Sequence, residues 1–328
     1  MAAIIPNSIL QQVNAASALI ARIIEGDLVA VHLYGSAVEG GLKPQSDIDL
    51  LVTIRQPLNT RQRKDLMQGF LEISAPPGSV DNYRALEVTI VVYSQLVPWR
   101  FPPAREMQFG EWLRDDICAG VYEPAQVDPD LSILLTQARR ASVALFGEPA
   151  ETLFNVIPFS DVVQTFRHIL DMWQQPGDLE GDERNIILTL ARIWYSVVTG
   201  NIVAKDEAAS WLIPQLPDEY ADTLQAARAE YLGLTKKNWT ASMPSVERFV
   251  FYAKNRLPIG LNNIFNDVGR YTFCLTHLNN LMGWGVRYGP LPLHDVCIFL
   301  YSKIESISHR NSDIYNPGTC HLMDEKNG

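Results

Sequence analysis

The chain has 328 residues, of which 47% are hydrophobic and 20% charged, and a formal net charge of −10. That length supports two domains with real cores, and that composition is one of a globular protein. The acidic balance argues against non-specific binding to nucleic acid or anionic membrane and leans toward cationic small-molecule partners.

The first residues, Met1-Ala2-Ala3-Ile4-Ile5-Pro6, lack the basic and apolar regions of a secretory signal. No uncharged apolar run reaches membrane-spanning length. The four cysteines, Cys118, Cys274, Cys297 and Cys320, form no C-x-x-C pair, so neither a disulfide framework nor a zinc ribbon is implied. A reduced, cytoplasmic monomer that binds no nucleic acid and no membrane is the expectation.

In chain order, Ser8 to Ile24 reads as an amphipathic helix with Leu10, Val13, Ser17, Ile20 and Ile24 on its core stripe, ended by Gly26-Asp27. Leu28 to Tyr34 reads as a strand that stops at Gly35-Ser36. A Gly-containing connection leads to a second strand from Ser46 through Thr53. Leu86 to Tyr93, rich in β-branched residues, is a third. Helix, strand, turn, strand, helix, strand describes a small domain with a mixed sheet. Residues 95 to 130 are Pro-rich and irregular, a length of loop that is uncommon unless functional. Asp130 to about Leu145 returns to helical spacing.

Beyond about residue 157 the pattern turns helical. Ser160 reads as the N-cap of a helix to about Trp173, broken by Gln175-Pro176-Gly177. Asp182 to Val198, closed by Gly200, follows, and then Lys205 to Ile213, Glu219 to Leu232 and Ser245 to Leu257. Five helices with short links predict an all-α bundle. The fold class is therefore α+β, with a mixed-sheet domain over 1–157, a helical domain over 158–257 and a weakly ordered extension over 258–328. The extension holds three of the four Cys and four of the six His. Cys274-x-x-His277 and His294-x-x-Cys297 have ligand-like spacing for zinc, but incidental Cys and His in a poorly folded tail is the preferred reading.

The chemistry centres on Asp47-Ile48-Asp49. Residues two apart on a strand share a face, so the two carboxylates lie side by side, about 6.6 Å apart along the strand. Such a pair suits a hard divalent ion that also grips phosphate oxygens. Gly35-Ser36 can supply backbone N–H groups and a hydroxyl to a phosphate. Glu87 sits inside an otherwise apolar strand, where a lone carboxylate is costly unless paired or metal-bound. If that strand neighbours the Asp47 strand, three carboxylates converge, and Glu87 becomes the candidate base for an attacking hydroxyl. Nucleotidyl transfer is the leading reading.

These residues resemble the DNA polymerase β-like nucleotidyltransferase fold. More closely, Leu33-Tyr34-Gly35-Ser36-Ala37, Asp47-Ile48-Asp49-Leu50-Leu51-Val52, Glu111-Trp112-Leu113-Arg114 and Ile193-Trp194-Tyr195-Ser196 resemble the aminoglycoside (3″)(9) adenylyltransferases, bacterial antibiotic-resistance enzymes, over about residues 1 to 257. The resemblance implies magnesium-dependent transfer of AMP from ATP to a hydroxyl of streptomycin (3″) and spectinomycin (9). It implies Asp47, Asp49 and Glu87 as metal ligands, with Glu87 also the proton acceptor. It implies nucleotide contacts at Ser36, Ser46, Asp130, Arg192, Lys205 and Tyr231, and acceptor contacts at Trp112, Trp173, Asp178 and Asp182. A cation such as Lys205 near the triphosphate is physically sensible, because it offsets developing charge. Carboxylates suit the ammonium or guanidinium groups of such drugs, and indole suits a sugar face or a cation. In the family, the residues at 173 and 178 separate streptomycin binders from relatives limited to spectinomycin, so this chain is expected to handle both. A nucleotidyltransferase of the same fold with a protein or RNA acceptor is the alternative, disfavoured by the acidic charge. A non-catalytic binding protein is disfavoured by the intact carboxylates.

Overall fold

The apolar runs that alternate sides along 28–34, 48–54 and 86–92 form the centre of a five-stranded mixed sheet. In this computed structural model, which describes residues 5–79 and 83–257, the strands are β1 (Leu28–Tyr34), β2 (Ile48–Ile54), β3 (Leu86–Val92), β4 (Ala104–Arg105), β5 (Met107–Phe109), β6 (Gln126–Val127) and β7 (Val143–Phe146). The main sheet runs β5-β3-β2-β1-β7, and β4 and β6 pair as a separate ribbon. β2 and β3 are parallel, while the other pairs are antiparallel. The helices are α1 (Asn7–Ile24), α2 (Thr60–Glu72), α3 (Tyr93–Leu96), α4 (Arg114–Cys118), α5 (Leu131–Arg140), α6 (Ala150–Leu153), α7 (Phe159–Asp171), α8 (Glu183–Thr199), α9 (Lys205–Leu212), α10 (Asp218–Tyr231) and α11 (Met243–Arg256). Among the described residues no helix is long and apolar enough to cross a membrane.

The period-two pattern of the strands sorts the side chains. Ile48, Leu50, Val52 and Ile54 on β2 and Leu86, Val88, Ile90 and Val92 on β3 pack with Ile9, Val13, Ala16 and Ile20 of α1 and with Leu66, Met67 and Phe70 of α2. The opposite face carries Tyr34, Asp49 and Glu87 side by side at its open end, then Leu51 and Thr89, with Val91 deeper in. Tyr34, Leu51 and Val91 belong to a second core that continues through α5 and α7 into α8, α9, α10 and α11. The sheet thus shows an aliphatic face to α1 and α2, and a mixed face to the helices that follow it.

Four local expectations change. In α1, Leu10 is 39% exposed and Gln12 takes the core face. Gln12 Nε2 donates to the carbonyls of Ile73 and Arg84 at 2.8 and 2.7 Å, and its Oε1 accepts from Arg84 N–H at 3.0 Å. A buried polar side chain is tolerated where its hydrogen bonds are met. The helical spacing of 130–145 ends at Arg140, because Val143-Ala144-Leu145-Phe146 pairs with the free edge of β1. Ser160 does not cap α7; Pro158 holds that position, its fixed φ suiting a helix start, and its carbonyl accepts from Asp161 N–H at 3.0 Å. The Pro-rich stretch is built into the fold. Arg63 Nη1 donates to the carbonyls of Glu106 and Glu123, and Arg105 bridges Glu123 and Asp128 at 3.0 and 2.8 Å. Residues 258–328 lie outside the described residues, with the ordering and zinc readings made for Cys274, His277, His294 and Cys297.

Candidate active site

The site begins where β1 ends. Gly35 adopts φ +67, and a Cβ there would stand 2.0 Å from Asp49 Oδ2, so only glycine lets this turn pass against the carboxylate. The Ser36 backbone N–H donates to Asp49. The connection returns through Ser46, whose hydroxyl accepts from Lys43 N–H at 2.9 Å and shares a hydrogen bond with Tyr231 of α10. It then enters β2. In the parallel register Asp49 stands directly beside Glu87, and in the antiparallel register it stands beside Tyr34. Gln108 of β5 donates from Nε2 to Glu87 Oε1 at 3.3 Å.

These side chains line a cleft of about 530 Å³ between the open end of the sheet and the helices. The sheet side supplies Ser36, Ser46, Asp47, Asp49 and Glu87, and the start of α5 supplies Asp130. The helical side supplies Trp173, Arg192 of α8, Lys205 at the first turn of α9 and Tyr231. Trp112, Asp178 and Asp182 are not brought to the cleft wall. Trp112 is 59% exposed and lies over Gly110. Asp178 caps a turn, with Oδ2 accepting from Gln174 and Gln175 N–H at 2.8 and 3.0 Å. Asp182 accepts from Asn185 Nδ2 at 2.7 Å, and Asn185 lines the cleft.

Charge is poorly balanced among the carboxylates. Burial, then the charges of Glu87 and Asp47, push Asp49 well above the usual carboxylate range. Burial and Asp47 push Glu87 up to about 7. Burial also raises Asp47, although Lys205 opposes it. Across the cleft, burial and the Arg192 guanidinium hold Lys205 down at about 8, with Asp182 and Glu87 pulling the other way. Burial and Asp128 raise Asp130 to about 6. Asp47 Oδ1 is buried with no hydrogen-bond partner. Crowded carboxylates with an orphaned oxygen are what a hard cation relieves. Among the described residues, however, no group of three or more His, Cys, Asp and Glu side chains is already gathered into a metal-holding arrangement.

Several cleft residues escaped the sequence reading. Gln108 lies in a three-residue strand inside the stretch read as irregular, and only its pairing opposite Thr89 brings it near Glu87. Arg105 and Asp128 reach the cleft through the β4–β6 ribbon, which two-residue strands give no pattern to detect. Tyr34 is different, since strand alternation from Asp49's neighbour could have placed its phenol on the cleft face.

Two family models match the chain. A nucleotidyltransferase domain covers residues 20–106, and the C-terminal domain of aminoglycoside adenylyltransferase covers residues 152–256. An aminoglycoside (3″)(9) adenylyltransferase of Escherichia coli is 50% identical over 246 residues, spanning 75% of this chain and 94% of the relative. A spectinomycin 9-adenylyltransferase of Staphylococcus aureus is 39% identical over 79% of this chain and 97% of its own length. The crystal structure of the spectinomycin adenyltransferase AAD(9) from Enterococcus faecialis, with ATP and spectinomycin, superposes with a TM-score of 0.71 at 33% identity, covering 75% of this chain and 98% of that one. With its sheet, its carboxylate-lined cleft and near full-length matches at this identity, the chain belongs to the aminoglycoside adenylyltransferase family.

Proposed function

We propose that this protein transfers AMP from ATP to a hydroxyl of the cationic antibiotics streptomycin and spectinomycin, inactivating them, with Mg2+ as the metal. The carrying observation is the parallel register that sets Asp49 beside Glu87 on one wall of a cleft whose other wall holds Lys205 and Trp173. The relatives' activities and the ATP and spectinomycin held by AAD(9) support the same reading. We place the working boundary between a catalytic half and a helical half near residue 157, and the protein in the bacterial cytoplasm as a monomer.

Asp47, Asp49 and Glu87 would hold the metal after side-chain rotation draws them together. Mg2+, when bound, would neutralise the triphosphate and the charge that develops on it. Glu87 accepts the proton of the acceptor hydroxyl as its oxygen bonds to the α-phosphorus, and the bond from that phosphorus to pyrophosphate breaks. Lys205 and Arg192 offset the charge that collects on the departing pyrophosphate. Ser36, Ser46, Asp130 and Tyr231 orient the nucleotide. On the acceptor side, Trp173 offers a ring face within the cleft, and Asp182 and Trp112 would have to approach it as the drug binds.

The test is turnover. Purified protein is incubated with Mg-ATP and streptomycin, spectinomycin or kanamycin, and pyrophosphate release and a drug mass gain of one AMP are followed. Modification of the first two and not the third is expected. A folded protein that turns over none of them removes this reading. Glu87→Gln keeps the shape of the side chain and loses the base, so kcat should fall about 100-fold or more. Near-parental turnover would take the proton-acceptor role away from Glu87.

A further inference from the structure

We propose that Arg84 is a positioning residue for the nucleotide end of the cleft, acting through the turn that carries Ser46 and Asp47. The proposal rests on the nucleotide-binding part of the function proposed above.

One guanidinium nitrogen collects three carbonyls of a single turn. Arg84 Nη1 donates to Lys43 O at 2.8 Å, to Ser46 O at 3.0 Å and, more distantly, to Pro44 O at 3.4 Å. Carbonyl dipoles aimed at one point repel each other unless a cation stands there, and hydrogen bonds from a charged donor are the strong ones. The next residue completes the grip, since Ala85 O accepts from Ile48 N–H at 2.9 Å. Asp47 is therefore bracketed, with the carbonyl before it held by the Arg84 side chain and the N–H after it held by the Ala85 backbone. Ser46 is fixed in the same turn, its hydroxyl accepting from Lys43 N–H. Asp47 Oδ1 is left buried and unpartnered on the cleft side.

Arg84 is itself anchored. Its N–H and carbonyl are both bonded to the buried amide of Gln12, at 3.0 and 2.7 Å, and its carbonyl also accepts from Ala75 N–H at 3.3 Å. Two residues on, the chain enters β3 and reaches Glu87. A single side chain thus ties the approach to the Glu87 strand to the approach to the Asp47 strand. That fixes the spacing of the carboxylates across the parallel pair, and it would hold the turn in place while the carboxylates close on a metal. The turn it holds carries Ser46 and Asp47, both of which line the cleft.

The test compares Arg84→Met and Arg84→Lys with the parent, reading Mg-ATP affinity by calorimetry, melting temperature, and the spectinomycin KM at saturating Mg-ATP. Arg84→Met is expected to weaken Mg-ATP about tenfold, the scale of one charged hydrogen bond. It should leave the spectinomycin KM within about twofold, below that same scale. Arg84→Lys, whose ammonium can still span two carbonyls, should recover most of the nucleotide affinity. A lowered melting temperature with Mg-ATP affinity unchanged in the folded variant would overturn the proposal, leaving Arg84 a brace. So would equal losses for nucleotide and drug. If Arg84→Met does not fold, Arg84→Gln, which keeps a donor and loses the charge, decides, with a clear weakening of Mg-ATP supporting the role and parental affinity ending it. A parent that binds Mg-ATP and modifies no drug removes the proposed acceptors and the KM comparison, and Mg-ATP affinity against melting temperature then decides. A parent that binds no Mg-ATP removes both.

Discussion

Two backbone N–H groups just after Trp173 end on one carboxylate oxygen, Asp178 Oδ2. Those bonds, the Gln175 one first, hold the Asp178 carboxyl below the usual range. On the other side, Lys254 Nζ of α11 donates to the Trp173 carbonyl at 2.7 Å. Trp173 lines the cleft and Asp178 does not, so in the proposed function Asp178 would act on the acceptor through the turn that follows Trp173. The family resemblance assigns both residues to streptomycin. Trp173→Ala and Asp178→Ala should each lower kcat/KM for streptomycin more than for spectinomycin. If they act as one unit, the double variant should be little worse than the worse single one. Additive losses would mean that Asp178 meets the drug itself, and equal losses on both drugs would remove the pair from streptomycin selection. Pro176-Gly177 made the turn legible in the sequence. The cap was not legible, because an exposed aspartate near a helix start reads equally well as a favourable charge at its N-terminus.

At the scale of elements, α1 is held by more than its apolar stripe. Val13, Ala16, Ile20 and Ile24 bury against the sheet, and Gln12 stitches α1 to the chain at Ile73 and Arg84. Gln12→Leu keeps the volume and leaves two carbonyls and one N–H with a lost partner. The cost should be about 1–3 kcal/mol, seen as a fall of several degrees in melting temperature. A melting temperature within a degree of the parent would show that water replaces the amide. The same helix shows what a sequence can and cannot reveal. Period and length made the helix plain, and β-branched runs made β1, β2 and β3 plain. The partners of Gln12 lie 61 and 72 residues away, so nothing local marks a glutamine for the core face. β5 and β7 were missed for a related reason. Runs of three and four residues carry too little alternation, and each becomes a strand only because a sheet edge is waiting for it. The carboxylates of Asp47, Asp49 and Glu87 were legible as candidates because their logic is short-range, with one D-x-D on a strand and one glutamate among β-branched neighbours. Their adjacency needed the register.

Across the whole molecule, the connection between β1 and β2 is gripped from the helical side. Lys43 pairs with Asp206 at 3.3 Å, Arg140 of α5 with Glu39, Arg184 of α8 with Gln45, and Ser46 with Tyr231. The nucleotide would bind where these contacts meet, with the proposed metal-binding carboxylates on the sheet and cations on the helices. The wall around Trp173, Met172 and Ile169, where the proposed acceptor would sit, belongs entirely to the helical side. A bound nucleotide would add links between the two walls, and so would fix the helical wall against Glu87, the proposed base. If that is how the pocket is completed, the drug should bind at least about tenfold more tightly once a Mg-bound, non-hydrolysable ATP analogue is in place, a coupling of about 1.4 kcal/mol. By reciprocity the drug must tighten the nucleotide by the same factor. Calorimetric titration of spectinomycin with and without the analogue, and of the analogue with and without spectinomycin, closes the cycle. Equal drug affinity in both titrations would mean that the helical wall is already set without nucleotide, and that the two halves act as one rigid frame.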